Sequence, residues 1–522
     1  MSQMLKSSGA MGAATLTSRV LGMAREMFYS HFMGDTPVAS AFKFAFAIPN
    51  LFRRLLGEGA LTVAFIPIFK LKERTAGEAE MWRAANAVIS GLVVAAATII
   101  GLAMLGITVA LSIHAFDENT RLMLRLLRLM FPYMLMVCIA AIFMGMLNAR
   151  GHFFIPAMGA VVLNVVLISS VLFLAPRWGE TLPTQIFGLA VGVLAAGFAQ
   201  AIFQWPNLRR EGFRYEWVSP WQNETVREVL RKMIPGTMGV AAFQINVLVT
   251  YGVALCVDNR IIASFDYAVR LMELPQGVFG ISLATYLLPT LAGLAADKKY
   301  PEFRTTLAQG LNHLVFVNLI ASILLVILAS PIIRLIFEHG KFTPQSTARA
   351  AMALSFLAPG LVAFSMVNIL ARGFYALGDT QTPMRISMVC LGLNLVFALM
   401  FVWPMRQAGL ALANSLSAIF NVGFLFYALR LKLKSLELAD MKRSIFPLLI
   451  SAAVAGAVAW SASHFWEKNI GHATLPGKIG AAFVPIILGG GIYFALALAL
   501  KIPSAREIFQ LLEEKFSSEK RK

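Results

Sequence analysis

Fourteen runs of apolar residues, each long enough to cross a bilayer, constrain this chain more than any other feature in it. A crossing α-helix needs about 20 apolar residues, because the hydrocarbon is roughly 30 Å thick and each residue rises roughly 1.5 Å. The runs lie near 9–32, 39–69, 84–113, 122–147, 155–175, 183–205, 233–257, 261–293, 306–330, 348–375, 383–403, 408–430, 444–466 and 479–501. In hydrocarbon every backbone N–H and C=O needs an internal partner, so runs of this length are helices. The expected fold class is all-α: a polytopic membrane protein with 14 transmembrane helices. A mean hydropathy of +0.71, with 58% hydrophobic and 14% charged residues, excludes a soluble chain. The connections are short, and the longest, 206–232, reads as interfacial. Arg125 and Arg128 weaken the fourth run and mark an amphipathic stretch at the outer surface.

A net charge of +18 in a soluble chain would suggest nucleic acid. Here the basic residues sit in short loops and report orientation instead, so no nucleic-acid partner is expected. With a cytoplasmic N-terminus, 28 Lys and Arg fall on the cytoplasmic side and 8 on the other. Both termini are then cytoplasmic, and 503–522 is a basic cytoplasmic tail. Cys138, Cys256 and Cys390 lie far apart in apolar runs, without disulfide or metal spacing. There is no phosphate-binding glycine loop, no carboxylate pair at metal spacing and no nucleophile elbow. No metal, no resident cofactor and no enzymatic activity are expected.

The chain repeats itself. Pro132, Gly151 and Pro156 stand at the same mutual spacing as Pro359, Gly378 and Pro383. Each pattern leads into an apolar run, holding Asn164 in the first copy and Asn394 in the second. Ser40 and Pro49 have counterparts in Ser264 and Pro275. Helices 1–6 (residues 1–220) and 7–12 (221–440) therefore read as two lobes of one unit. Six helices is an even number, so the lobes should be related by a pseudo-twofold axis along the membrane normal. Helices 13–14 (441–502) have no counterpart. Two such lobes with a cavity between them make a transporter architecture. Spans 2 and 8 are too long for one straight crossing and carry Pro49, Gly57, Gly59 and Pro275, Gly277, Gly280, so each should kink or tilt.

Ionisable residues inside spans cluster in helices 1, 2 and 8: Arg19, Arg25, Glu26; Lys43, Arg53, Arg54, Glu58; Asp266, Arg270, Glu273. An arginine at mid-bilayer costs at least about 2.5 kcal/mol, so these groups need water, a partner or an anion. Ser40, Lys43, Asn50 and Arg54 follow helical spacing along one face, whereas Arg53 points about 100° away. Asp266 and Glu273 stand four before and three after Arg270, placed to hold its guanidinium. Arg19 and Arg25 diverge by about 120° on a straight helix, and only a bend at Gly22 would bring them onto one ligand. Two readings fit: internal salt bridges that fix helix packing, or guanidinium forks for a phosphate or diphosphate.

These same residues carry a resemblance. Ser18-Arg-Val-Leu-Gly-Met-Ala-Arg-Glu26, Ile48-Pro-Asn-Leu-Phe-Arg-Arg54 with Glu58-Gly-Ala60, Arg270-Leu-Met-Glu-Leu-Pro275, Leu288-Pro289 and Gly340-Lys-Phe-Thr343 are similar to motifs of the MviN/MurJ lipid II flippases, within the multidrug/oligosaccharidyl-lipid/polysaccharide exporter superfamily. The resemblance covers essentially the whole chain. It implies alternating-access flipping of lipid II, the undecaprenyl-diphosphate-linked peptidoglycan precursor, across the bacterial cytoplasmic (inner) membrane. It implies that Arg19, Arg25, Arg53 and Arg270 line the cavity and bind substrate. Glu26, Ser40, Lys43, Arg54, Glu58, Asp266 and Glu273 would then support or gate the site. It further implies a lipid-tail groove on helices 13–14, drive by membrane potential or an ion, and partners among membrane lipids and the cell-wall synthesis machinery. The chain departs from the usual pattern at Glu26, Ser40 and Val269, where the family has Asp, and at Lys43, on a face usually apolar. An exporter of drugs or of another lipid-linked oligosaccharide is the alternative.

Overall fold

The computed structural model describes residues 2–52, 60–437 and 439–519. Packing divides the chain into two compact units, Met1–Leu255 with His339–Phe342, and Cys256–Glu338 with Thr343–Lys522. The described residues contain helices and no strands.

The first unit holds α1 (Ser2–Met33), α2 (Pro37–Phe52), α3 (Ala60–Ile113), α4 (Glu118–Met130), α5 (Tyr133–Ala149), α6 (Phe154–Ser169), α7 (Leu182–Arg210) and α8 (Glu224–Leu255). The second holds α9 (Ile261–Pro275), α10 (Ser282–Ala296), α11 (Tyr300–Ile327), α12 (Ala329–Phe337), α13 (Pro344–Leu357), α14 (Gly360–Ala376), α15 (Gln381–Met405), α16 (Gln407–Leu433), α17 (Ala439–Asn469), α18 (Leu475–Ala499) and α19 (Pro503–Glu519).

Among the described residues, ten helices are long and apolar enough to cross a membrane, or eleven if the bent pair α13–α14 is one span. The three other expected crossings fall on α1, α2 and α8. They are helical, but α1 and α2 carry the in-span charges, and residues 53–59 lie outside the described residues. The expected break in span 2 at Gly57 and Gly59 lies there too. Span 8 does change its winding. After Pro275 the chain takes a π-helical stretch, Gln276–Ile281, before α10 resumes, because proline removes the donor that would continue the ladder. Residues 70–83, read as a connection, are mostly helical. Gly77 (φ 84°, ψ 176°) breaks α3 there, so that a stretch far too long for one crossing becomes two helices.

The proline–glycine repeat has a structural counterpart in each unit. Pro132 separates α4 from α5, and Pro359 separates α13 from α14, which bend by 48°. Gly151 (φ 88°) and Gly378 (φ 74°) then take the left-handed conformation just past α5 and α14. Each is followed by a backbone bond that closes the helix end, His152 N–H to Leu147 O at 2.9 Å and Asp379 N–H to Phe374 O at 3.0 Å.

Hydrocarbon gives two apolar helices little reason to associate, so tight packing has to hold them. On α7 the positions that a Cβ would occupy at Gly192 and Gly197 lie 2.3 Å from the Ser170 side chain and 2.7 Å from the Tyr133 ring. Only glycine permits that approach. In the second unit α11, α14, α16 and α17 enclose Leu307, Leu311, Leu370, Phe374 and Leu429. The two extra helices join this core: the Tyr493 hydroxyl of α18 donates to Phe316 O at 2.7 Å, and Arg334 of α12 meets Glu467 of α17 at 2.5 Å.

Candidate substrate-binding site

Helix α1 presents Ser18, Gly22 and Arg25 at i, i+4 and i+7, one helical face, to Asn164 of α6. Asn164 donates from Nδ2 to Ser18 O at 3.3 Å and to Ala160 O at 3.0 Å. Its Oδ1 accepts from Arg25 Nη1 at 3.1 Å. Gly22 lies beside the amide, whose Nδ2 would sit in ordinary contact, 4.0 Å, with a Cβ there.

The second edge of the Arg25 guanidinium meets Glu26, Nη2 to Oε1 at 2.6 Å, and its centre lies 5.5 Å from the Tyr29 ring. Glu26 is 3% exposed and shares its other oxygen with Lys43 of α2, Nζ to Oε2 at 3.8 Å, itself 9% exposed. Two cations thus share one carboxylate in a nearly dry setting. Removing the carboxylate from such a set takes away the partner that both cations share. Ser40, a turn before Lys43, is fully buried.

Of the four expected arginines, Arg25 lies in this cluster. Arg19 is exposed on another side of α1, which is a continuous helix through Gly22, and makes no ion pair among the described residues. The divergence read from six-residue spacing holds. Arg53, Arg54 and Glu58 lie outside the described residues. Arg270 belongs to the second unit. Its Nη1 meets Glu273 Oε2 at 3.0 Å and its Nη2 lies 3.8 Å from Asp266 Oδ1, with the side chain 33% exposed. Both acids hold that guanidinium, one on each side.

The repeat spacing singles out Asn164 in the apolar run after Pro156 but carries no signal tying it to Arg25, on a helix far away in the chain. Tyr29 was missed as well. A second charged cluster was read only as orientation signal: Arg150 Nη1 meets Glu73 at 2.5 Å and Glu78 at 2.9 Å, and Nε meets Glu211 at 2.8 Å. His152 Nε2 takes the other Glu211 oxygen at 2.8 Å. The hydrogen bond from Arg150, aided by His152, holds the Glu211 carboxyl below its usual range. In the second unit Asp379, next to the equivalent glycine, meets Lys432 at 2.6 Å, and that contact brings its pKa down to about 2. Among the described residues no group of three or more His, Cys, Asp or Glu could hold a metal.

The sequence profile of the lipid II flippase MurJ matches residues 29–478. This chain belongs to the MurJ family. It is 32% identical over 525 aligned positions to a probable lipid II flippase MurJ of Vibrio cholerae serotype O1, covering 96% of this chain and 97% of that one. It is 30% identical to the lipid II flippase MurJ of Burkholderia cenocepacia, covering 92% and 94%. Among solved structures it resembles a lipid II flippase MurJ in an inward closed conformation, with TM-score 0.77, 22% identity and coverage of 93% and 97%. An inward-facing multidrug-resistance MATE transporter of the MOP superfamily gives TM-score 0.66 at 14% identity, covering 80% and 94%. Both structural likenesses speak to the fold. Membership of the MurJ family makes the chain a multi-pass membrane transporter and not an enzyme.

Proposed function

We propose that this chain flips lipid II from the cytoplasmic to the outer leaflet of the bacterial cytoplasmic membrane by alternating access, with its diphosphate held by Arg19, Arg25, Arg53 and Arg270. The observation that carries the reading is the buried charge cluster Arg25–Glu26–Lys43 on a family member's membrane helices. Glu26 occupies one edge of the Arg25 guanidinium and Asn164 the other. A diphosphate oxygen can replace Glu26 Oε1 there, because a guanidinium fork fits phosphate as it fits carboxylate. Glu26 then keeps Lys43 as its partner, so the exchange strands no charge. Glu273 and Asp266 serve Arg270 in the same way. Ser40, Arg54 and Glu58 complete the supporting set.

The polyprenyl tail stays in lipid against α17 and α18, which expose Trp460, Phe465, Phe483 and Ile487. The 28-to-8 bias of basic residues supports cytoplasmic termini. Membrane potential is the driver, one charge through 100 mV being worth about 2.3 kcal/mol. The cell-wall synthesis machinery, which consumes the flipped lipid, is the partner class. A cationic drug would meet repulsion at the trio, which disfavours the drug-exporter reading. The test is rescue of a strain depleted of its own flippase by R19A, R25A, R53A and R270A, each checked for membrane insertion. Loss of rescue by each variant is expected, and full growth with all four would overturn the assignment.

A further inference from the structure

A cavity among the described residues lies between α3 and α4. It has a volume of about 240 Å³ and is lined by Thr108, Leu111 and Ser112 of α3 and by Arg121, Arg125 and Arg128 of α4. The three arginines stand at i, i+4 and i+7, one face of α4, while Leu126, Leu127 and Met130 on the opposite side are buried. They sit at the end of the Glu118–Ala149 span opposite to Arg150.

Three guanidinium groups converge here with no carboxylate partner. None makes an ion pair among the described residues. The nearby acids are engaged or turned elsewhere: Asp117 caps α4 by accepting from Thr120 N at 3.1 Å, and Glu118 lies in the first turn without an ion pair to them. Arg128 lies two helical turns beyond Arg121, about 10 Å further along the helix and toward mid-span. Its bond there is to a neutral group, Thr108 Oγ1 at 3.3 Å. The Thr108 and Ser112 hydroxyl protons go to Met104 O (2.7 Å) and Thr108 O (2.6 Å), so these side chains orient the arginines and leave the guanidinium donors for a ligand. Alongside the cavity-lining residues α3 exposes Leu102, Leu105, Val109 and Ile113 at 3, 4, 4 spacing, an apolar strip along one side of the helix. A site for a free anion has no use for that strip; a phosphate ester with acyl chains uses both parts.

We propose that the pocket between α3 and α4 binds the phosphate headgroup of an anionic phospholipid from the leaflet at that end, with its acyl chains along the Leu102–Ile113 strip. Three permanent cations in a cavity at the membrane surface favour a net-negative headgroup over a zwitterionic one. The site shares no residue with the proposed substrate set, and the proposal does not depend on what the protein transports.

The test is native mass spectrometry of the full-length protein equilibrated with equimolar phosphatidylglycerol and phosphatidylcholine, for the wild type, R125Q/R128Q and R125K/R128K. The wild type should retain phosphatidylglycerol in preference by roughly tenfold or more, on the scale set by each basic residue at a membrane surface. R125Q/R128Q, melting as the wild type does, should lose most of that preference, and R125K/R128K should keep part of it. Addition of 10-millimolar-scale inorganic phosphate (roughly, to exceed weak anion affinity) should leave the lipid preference in place. An unchanged preference in R125Q/R128Q overturns the proposal. So does wild-type protein that is stabilised by inorganic phosphate alone and shows no lipid preference, since that is a free-anion site.

Discussion

The side-chain oxygen of Asn164 accepts from Arg25 at 3.1 Å while its nitrogen is committed to carbonyl oxygens of both helices. The amide can face only one way, so it presents an oxygen to the guanidinium and fixes where Arg25 points. Asn164→Ala should therefore weaken any function that needs Arg25 without removing its charge. A hydrogen bond to a charged group is worth about 1.5–3 kcal/mol, so substrate affinity should fall roughly tenfold to a hundredfold. Asn164→Asp should be at least as damaging, because a second carboxylate would compete with an incoming diphosphate. Binding of a fluorescent lipid II analogue to purified variants measures both.

Glu26 stands between Arg25 and Lys43 in a nearly dry setting, so neutralising it leaves two cations facing each other. Glu26→Gln should destabilise the protein by about 3–5 kcal/mol, the usual cost of stranding a buried charge. Lys43→Met in the same background should recover much of that loss. Thermal melts of the two single variants and the double variant, read as a cycle, decide it; additive losses would show that Lys43 and Glu26 are not coupled.

Arg150 gathers Glu73, Glu78 and Glu211 beside the Gly77 break of α3. Arg150→Ala crowds three carboxylates with no cation among them, and stability should fall by about 2 kcal/mol or more. Arg150→Lys should recover only part of it, since an ammonium has no fork to span carboxylates on different elements. Melting temperature and the amount of protein in the membrane report the order wild type, Lys, Ala.

Asp379 has a pKa of about 2 against an ordinary 3.8, through its contact with Lys432. A carboxylate depressed on folding adds stability that is complete above its unfolded value and lost as pH falls through the folded one. The Asp379 contribution should thus be full above about pH 4 and disappear toward about pH 2. Glu211, also depressed, acts in the same direction. The wild type should melt progressively lower across that acid range, and Asp379→Asn should flatten part of the slope while lowering stability at neutral pH. Melting curves between pH 2 and 5 (roughly the window set by these shifts) check it; parallel slopes for wild type and variant would remove Asp379 from the account.

His152 and Asp379 show what a repeat keeps and what it lets go. Their N–H groups close two helix ends in the same way, each just after the left-handed glycine of its own copy. Their side chains then pair oppositely, His152 with an acid and Asp379 with a base. The backbone device is local and written in proline and glycine; the pairing depends on which residue the next helices bring alongside.

The same division runs through the whole chain. Apolar runs, proline breaks and glycine ends act within a few residues, because hydrocarbon forces each segment to satisfy its own backbone. Sequence alone therefore determined that the chain is helical and spans a membrane, that Pro132–Gly151–Pro156 and Pro359–Gly378–Pro383 share one spacing, and that Asp266 and Glu273 flank Arg270. The partners of Arg25 could not be read that way. Asn164 reaches it because α6 packs against α1, and Lys43 of α2 reaches the shared Glu26; both contacts rest on side-chain fit between distant segments, which no local spacing encodes. Tertiary structure alone decided that Arg25 sits in a shared charge cluster, Arg19 stands exposed, and Arg121, Arg125 and Arg128 converge on a cavity.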